Sequence, residues 1–460
     1  MIVAGELNLR YTVLENWQQC HFYETERRGM EIKRDAYLNE LILRLHNGMI
    51  KVITGIRRCG KSYLMNSIFY SYLIESVTDD SHILRFAFDS AEDLARIGED
   101  PVVLAREKRK VSPEKFMRFV SEHIPKKGSF YLLLDEIQEL DCFEAVLNGY
   151  LRNSQFEIYV TGSNSRFLST DVLTEFEGRG DEIRIYPLSF AEFISVYSGS
   201  VDDAWDDYMT FGGLPALTMM KTETQKIRYL ETQLNNVYLK DIIARNNLNN
   251  DTNLPELLDV LASGMATLVN PNILEGTFRS EKKVKISAPT ISQYIAYLQE
   301  AFLINTVRRY DVKGKKYINT PYKIYFEDTG LRNARLSFRQ TEPSHLMENI
   351  IYMELRRRGF LVDVGVVGIR EKNAEGHLQR KQLEIDFIAN LGSKRYYIQS
   401  AYEIPDEIKR TQEIKSFNYT GDSFKKIILV EKKMKPKRDE HGYMTMGIRE
   451  FLLDQNSLDL

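Results

Sequence analysis

The sequence predicts an α/β protein whose first part is a parallel β-sheet covered by helices. Short apolar runs at 51–54, 82–88, 130–134 and 157–161 alternate with segments of helical pattern. The run at 130–134 consists of large apolar residues without alternation, as is typical of a strand that is buried on both faces. Two of the runs end in glycine-rich or acidic turns. Strands and helices that alternate in this way form a doubly wound parallel sheet.

The turn after the first run has a specific spacing. Residues 55–62 read GIRRCGKS, which matches G-x-x-x-x-G-K-[ST], the phosphate-binding loop (P-loop) of a P-loop NTPase core, and a helix is predicted over 61–76. Glycines let such a loop approach a polyphosphate closely, and its N–H groups face the anion. Lys61 is predicted to reach the β- and γ-phosphates of ATP and Ser62 to bind Mg²⁺. A glycine turn before an ordinary core helix is the competing interpretation. The predicted nucleotide-binding residues are Gly55, Ile56, Arg57, Arg58, Cys59, Gly60, Lys61, Ser62 and Tyr63.

The run FYLLLDEIQEL (130–140) ends in a pair of acids. Carboxylates directly after a parallel strand lie at the edge of the sheet where α/β proteins bind ligands. Asp135 is therefore the predicted Mg²⁺ ligand, and Glu136 is the predicted base that orients and deprotonates the attacking water. Acids also favour the first turn of a helix, so the pair alone is ambiguous. The P-loop upstream favours the nucleotide interpretation.

Two further catalytic candidates follow the next strand. A strand between the two Walker segments, with Glu after Asp, is typical of the additional-strand class of P-loop ATPases. In that class a polar residue after the next strand senses the γ-phosphate, and Ser163 or Asn164 fits, with Asn164 favoured because an amide both donates and accepts hydrogen bonds. Arg179, in EFEGRG (175–180), is predicted to stabilise the transferring phosphoryl group in the same chain or across a homo-oligomer interface. A turn rich in Gly, Ser and Asn is the competing interpretation of the first segment, and Arg179 could equally be a turn arginine.

Composition narrows the class of protein. A length of 460 residues implies two to four domains. The net charge of −3 gives the whole chain no strong nucleic-acid or membrane signature, although short basic runs occur. The three cysteines show neither a disulfide framework nor metal-ligand spacing, and Cys59 lies in the P-loop. No segment has membrane-spanning length or a signal-peptide pattern, so we expect a cytoplasmic protein.

The middle of the chain is predicted to be a helical lid followed by a winged helix. A segment of helical spacing, SAPTISQYIAYLQEAFLI (287–304), precedes two β-prone runs around a basic turn, which is the order of a winged helix. The wing would contact DNA phosphates and the polar helix side would read a groove, or the module would serve only for packing. The predicted groove residues are Gln293, Tyr294 and Tyr297, and the predicted wing residues are Lys313, Lys315 and Lys316.

The last part of the chain has the element order of a PD-(D/E)xK nuclease core. Glu348 on a helix and Asp386 on a strand are candidate metal ligands, while Gln399 stands in the second acidic position. The lysine position is occupied by Ala401, although Lys381 or Lys394 could enter from another element. That chemistry needs two acidic ligands and a lysine beside the water. We therefore predict a nuclease-like domain that does not cleave and is kept for structure or binding.

Several specific strings of residues carry a resemblance to a known family: GIRRCGKS, LLLDEIQ, YVTGSNS, TEFEGRG, PLSFAEF, FGGLP, KIYFEDTGLRN, MENIIYMEL and EIDF. Together they make the chain similar to a bacterial and archaeal family of AAA-like ATP-binding proteins with a C-terminal domain of unknown function. The resemblance implies an AAA-like core, a winged-helix region and a degenerate nuclease-like domain. It also implies nucleotide-site roles for Lys61, Ser62, Asp135 and Glu136. The predicted segments are an N-terminal extension (1–29), the ATPase core (30–200), the lid and winged helix (201–335) and the nuclease-like domain (336–460).

Three functions compete. The leading prediction is an Mg²⁺-dependent ATPase that acts as a switch or motor, coupled to a nucleic-acid or protein partner through the lid and winged helix. The alternative is a nucleotide-gated DNA-binding regulator with little hydrolysis. An ATP-dependent nuclease is disfavoured by Ala401.

Overall fold

The computed structural model describes residues 32–162, 176, 178–248, 252–280, 285–340, 342–372 and 377–460. It divides into two compact units between Ile185 and Tyr186. Within the described ranges no helix is long and apolar enough to cross a membrane.

The first unit alternates helices with parallel strands. Its strands are β1 (Ile50–Thr54), β2 (Ile83–Ala87), β3 (Phe130–Asp135), β4 (Phe156–Thr161) and β5 (Gly180–Arg184). Its helices are α1 (Asp35–Leu43), α2 (Lys61–Tyr63, continuing as a π-helical segment Leu64–Phe69 and an α-helical segment Tyr70–Ser76), α3 (Ala91–Arg96), α4 (Pro101–Glu107), α5 (Pro113–His123) and α6 (Phe143–Leu151). Ser112 caps α5 and Pro113 occupies its first turn, which explains why that helix begins there.

Among the described residues of this unit, the five strands form one sheet in the order β2-β3-β4-β1-β5, and every pair is parallel. All residues of β1, β3 and β4 are buried, and for β3 the uninterrupted apolar run predicted this. The predicted parallel α/β sheet is therefore confirmed. Because β4 lies between β1 and β3, the ends of these three strands meet at one edge of the sheet.

The second unit begins with helices. They are α7 (Phe190–Ile194), α8 (Val201–Phe211), α9 (Glu223–Thr232, continuing as a π-helical segment Gln233–Leu239 and an α-helical segment Lys240–Arg245), α10 (Asn253–Ser263), α11 (Pro271–Ser280) and α12 (Ala288–Glu300). Later helices are α13 (Thr329–Arg335), α14 (Pro343–Arg357), α15 (Glu407–Ile414) and α16 (Ile448–Leu453). Ser189 and Ser200 each form a capping box, at the start of α7 and α8.

Within its described part, the second unit also contains a mixed sheet of nine strands. They are β6 (Leu268–Val269), β7 (Ile304–Asp311), β8 (Lys316–Phe326), β9 (Leu361–Lys372), β10 (Leu378–Leu391), β11 (Lys394–Ala401), β12 (Lys425–Val430), β13 (Lys437–Arg438) and β14 (Met444–Gly447). The spatial order is β13-β14-β12-β11-β10-β9-β7-β8-β6. The parallel pairing of β7 with β9 joins strands from both sides of the boundary predicted at 335. That boundary therefore does not separate two sheets.

The helix and hairpin predicted as a winged helix are present as α12, β7 and β8, but the hairpin belongs to this larger sheet. The winged-helix interpretation stays a prediction. One of its groove residues is corrected: Tyr294 is only 5% exposed, because it lies on the buried stripe of α12 with Ile291, Ile295 and Leu298. A side chain on that face packs in the core and cannot read a groove. Gln293 remains exposed and donates a hydrogen bond to the Tyr297 hydroxyl over 2.6 Å.

Candidate functional site

The predicted P-loop connects β1 to α2 in a conformation that depends on glycine. Gly55 has φ +140°, and a Cβ there would lie 2.0 Å from the carbonyl oxygen of Ile185. Gly60 has φ +100° and immediately precedes the first residue of α2. A residue with a side chain would be strained in both conformations and at Gly55 would also collide with Ile185, so the path of this loop requires glycine at both positions.

Lys61 begins α2 and its side chain is 95% buried within the loop. Its ammonium donates hydrogen bonds to the carbonyl oxygens of Gly55 (2.9 Å) and Ile56 (3.2 Å). The cation is thus held at the concave side of the loop. The neighbouring Ser62, Tyr63 and Arg58 are exposed, whereas Ile56 and Cys59 are buried.

The two predicted acids lie at the carboxyl end of β3. Asp135 is 6% exposed, and its carboxylate accepts hydrogen bonds from the Thr161 hydroxyl and from the Asn66 amide (3.4 Å). Glu136 has φ +50°, and its N–H donates to the Thr161 hydroxyl oxygen over 3.2 Å. Thr161 at the end of β4 therefore fixes both acids, and Asn66 connects Asp135 to α2. Neither residue was singled out by the sequence reasoning.

A third acid near this edge was also missed. Asp89 follows β2, whose last residue is paired with Asp135 in the sheet. Partial desolvation and the negative charges of Glu136 and Asp135 raise the pKa of Asp89. Arg57 of the P-loop opposes that shift. The signal was available, because FAFD repeats the pattern of an apolar run closed by an acid that identified Asp135.

Arg179 is not brought to this edge. It directly precedes β5, and its carbonyl oxygen accepts a hydrogen bond from the N–H of Ile50 at the start of β1. The P-loop begins at Gly55, which lies roughly 16 Å away at about 3.3 Å per residue along β1. The predicted role of Arg179 within its own chain is therefore corrected, because β5 begins at the opposite edge of a parallel sheet. Arg184, at the other end of β5, is paired with Thr54 directly before the P-loop.

Ser163 and Asn164 lie outside the described residues, so the γ-phosphate sensor stays a prediction. Thr161, two residues before Ser163, ends β4 beside Asp135.

A second cluster of charged side chains lies in the second unit, where the nuclease-like core was predicted. The Lys323 ammonium on β8 is 2.9 Å from Glu348, 2.8 Å from Glu384 and 3.7 Å from Asp386, measured to carboxylate oxygens. Asp386 also accepts a hydrogen bond from the N–H of Ser400 over 2.8 Å. A lysine therefore reaches these acids after all, but it is neither Lys381 nor Lys394.

The surroundings of this cluster are largely closed to water. Lys323 is 4% exposed, and Ala401, where the nuclease pattern has lysine, is packed in the hydrophobic core. Burial and the charge of Glu348 raise the pKa of Asp386 to about 8. Burial alone would lower the pKa of Lys323, but the surrounding carboxylates raise that pKa above its ordinary value. The ammonium occupies the point where the acids converge and offsets part of their negative charge.

The residues of the first unit fit ATP and Mg²⁺. The P-loop offers backbone N–H groups directly before and at the start of α2, where an anion is favoured. Hydroxyl and carboxylate oxygens, here Ser62 and Asp135, are ligands that Mg²⁺ prefers, usually one or two together with phosphate oxygens. No group of three or more His, Cys, Asp or Glu in the described ranges is placed to hold a metal ion.

Comparisons with known proteins agree with this geometry. An AAA domain family matches residues 47–194, and a Domain of unknown function (DUF8612) matches residues 202–342. A Haemophilus influenzae protein described as uncharacterized is 33% identical over 407 residues, covering 87% of this chain and 94% of the relative. An uncharacterized Methanocaldococcus jannaschii protein is 26% identical, covering 85% and 83%.

Among solved structures, a Walker-type ATPase of Pyrococcus abyssi is 15% identical, covers 67% of this chain and 97% of its own, and has a TM-score of 0.47. The extent of the Haemophilus influenzae match and the profile over residues 47–194 together decide the assignment. The chain belongs to one protein family with that Haemophilus influenzae relative, and it carries an AAA domain of the P-loop ATPase type.

Proposed function

We propose that the protein is an Mg²⁺-dependent ATPase that works as a nucleotide-driven switch or motor coupled to a nucleic-acid or protein partner. One observation carries the proposal: the buried Lys61 lies in the loop after β1, the acids Asp135 and Glu136 lie at the carboxyl end of β3, and Thr161 on the intervening β4 bonds to both acids. A cation for phosphate and an acid pair thus lie at one edge of one parallel sheet, where α/β proteins bind ligands.

Each of these residues has a separate role in ATP hydrolysis. Lys61 exchanges its hydrogen bonds with the loop carbonyls for bonds to the β- and γ-phosphate oxygens. Ser62 and Asp135 hold Mg²⁺, which when bound neutralises charge on the phosphates. Glu136 accepts the proton of the attacking water while the γ-phosphoryl group leaves ADP, so that ATP and water give ADP and phosphate.

The position of Glu136 matters for this role. Its left-handed backbone conformation is uncommon for a residue with a side chain and is held by the hydrogen bond to Thr161. The carboxylates of Glu136, Asp135 and Asp89 concentrate negative charge near the P-loop. That concentration favours a divalent cation and disfavours a bare polyphosphate, which supports Mg²⁺–ATP as the substrate form.

Lys61→Ala tests the site most simply. The variant removes the cation that faces the phosphates, and we expect no measurable ATP binding in a titration with a fluorescent ATP analogue. Lys33→Ala, which removes a lysine outside the loop, is the matched control and should bind like the wild type. Unchanged affinity in Lys61→Ala contradicts the assignment.

For the nuclease-like region we propose a role in structure or binding. The Lys323 ammonium already satisfies Glu348, Glu384 and Asp386. A metal ion would have to displace this internal cation, at the cost of moving a buried charge.

A further inference from the structure

The second unit carries a concave basic surface that the proposed ATPase chemistry does not use. The cavity has a volume of about 480 Å³, in the range of roughly 300–1,000 Å³ that small-molecule sites have. We call it the basic cavity. Four cationic side chains and one aromatic side chain in its lining carry the argument: Lys313, Arg370, Arg380, Lys381 and Tyr419. No acidic residue is among its described lining residues.

The sheet brings these cations together. β7 runs parallel to β9, and the N–H of Val312 donates to Val366 over 3.0 Å, so the turn after β7 lies beside the β9–β10 hairpin. The Lys313 ammonium is 3.5 Å from the carbonyl oxygen of Gly368 on β9. Within the hairpin, Arg370 and Arg380 are directly opposite each other. Like charges at directly opposite positions repel, so this pairing favours an anion as a neighbour.

Acidic side chains nearby do not cancel the positive charge of the basic cavity. Glu371 is the adjacent carboxylate, and it lies 2.6 Å from the Lys415 ammonium and 3.8 Å from that of Lys381. Lys415 alone offsets the charge of Glu371. The chain as a whole has a net charge of −3, so the cationic excess is a property of this surface and not of the composition.

The aromatic residue indicates which anion fits. Tyr419 is 42% exposed, and the Lys313 ammonium lies 5.6 Å from the centroid of its ring. An exposed ring beside a row of cations is the combination by which proteins bind single-stranded nucleic acids: bases stack on the ring and phosphates follow the charges. In a duplex the bases stack on one another and present no free face to a ring.

We propose that the basic cavity binds a nucleotide unit of single-stranded nucleic acid, with the base on Tyr419 and the phosphates among Lys313, Lys381 and Arg380. The inference rests on the proposed function in that it names the class of partner to which ATP turnover is coupled. Binding at the cavity itself requires no ATP hydrolysis, so the two can be tested separately.

The test is fluorescence anisotropy of the full chain with labelled single-stranded DNA and RNA of about 12 nucleotides, within the range of known site sizes. A salt series without ATP gives the dependence of log Kd on log salt. The double variant Lys313→Ala/Lys381→Ala removes two phosphate contacts and should reduce the slope by about 1.4, at about 0.7 per contact with single strands. Lys433→Ala/Lys435→Ala makes the same charge change at exposed residues outside the cavity and should keep the wild-type slope.

Tyr419→Leu tests the stacking without changing charge. We expect binding to weaken by about 5- to 150-fold, the equivalent of roughly 1–3 kcal/mol for one stacked base, with an unchanged salt slope. Wild-type binding that is absent, equal for a duplex or equal for a mononucleotide overturns the inference, as does a cavity variant that behaves like the control. ATP affinity and turnover in the same variants are measured in parallel. In the wild-type protein, absent strand binding with normal ATP turnover refutes only the cavity, and absent turnover with normal strand binding refutes only the ATPase.

Discussion

Replacing Thr161 with valine tests whether its hydroxyl positions both acids of the ATPase site. Valine keeps the volume of threonine but removes the donor to Asp135 and the acceptor of the Glu136 N–H. A hydrogen bond to a charged group contributes about 1.5–3 kcal/mol and one between neutral groups about 1 kcal/mol. Because Thr161 is fully buried, water cannot replace either bond, and the free energy of unfolding should fall by about 2–4 kcal/mol.

The effect on hydrolysis follows from the backbone of Glu136. Without its bond to Thr161, the left-handed conformation at φ +50° loses a constraint and the carboxylate is no longer held in place. A positioned base contributes about 10²–10⁴-fold to the rate. Because Glu136 is kept but held less firmly, we expect only part of this contribution to be lost, and kcat to fall by about 10- to 100-fold. ATP affinity should change little, because Lys61 and the P-loop are intact.

The assays are urea unfolding followed by fluorescence and steady-state phosphate release at saturating ATP. Thr161→Ser is the matched control: it restores the hydroxyl and should recover most of the turnover. Wild-type turnover in Thr161→Val refutes the positioning role. A serine variant as slow as the valine variant also refutes it, because the methyl group and not the hydroxyl would then matter.

The remaining predictions concern the charged cluster of the second unit. Lys323→Met leaves buried carboxylates without their ammonium partner, and the free energy of unfolding, measured by urea unfolding, should fall by about 3–5 kcal/mol. A loss below about 1 kcal/mol would contradict the role of Lys323 as the internal counter-ion. The pKa of Asp386 lies above the ordinary carboxyl value of 3.8, at about 8, so the folded state holds its proton longer than the unfolded state. Stability from this group is complete below about pH 4 and is lost as pH rises to about 8, and Asp386→Asn should flatten that decline when unfolding is measured across the window. Incubation with single- and double-stranded substrates, Mg²⁺ or Mn²⁺ and ATP should give no cleavage, and cleavage that disappears in Asp386→Ala would overturn this expectation.

Local patterns predicted the first unit well. Strands β1 to β4 begin and end within one or two residues of the predicted runs, and α2 begins at Lys61 as the motif requires, whereas β5 was not predicted. These features depend on contiguous sequence, where periodicity and loop chemistry are visible. Asp89 belongs to the same class, since its run and terminal acid resemble those of Asp135.

Other features depend on contacts that no local pattern contains. Lys323 reaches Asp386 only because β8, β7, β9 and β10 are neighbours in the sheet, an order that crosses many residues of sequence. Arg179 stands between two glycines in the sequence, and this position suggested a catalytic arginine. Because β5 runs parallel to β1, however, Arg179 lies at the edge of the sheet opposite the P-loop. The burial of Tyr294, in contrast, was predictable from the sequence, because its helical spacing from Ile291 and Leu298 places it on the apolar face of the helix. Its polar hydroxyl led to its assignment to the polar face instead.

The central claim is that Glu136 acts as the base of an Mg²⁺-dependent ATPase. The measurement that tests it most directly is phosphate release by Glu136→Gln, with ATP affinity measured on the same sample. Glutamine preserves shape and hydrogen bonding but cannot accept the proton, so the account predicts wild-type ATP affinity and turnover lower by about 10²–10⁴-fold. Near-native turnover in a Glu136→Gln protein that still binds ATP would contradict it.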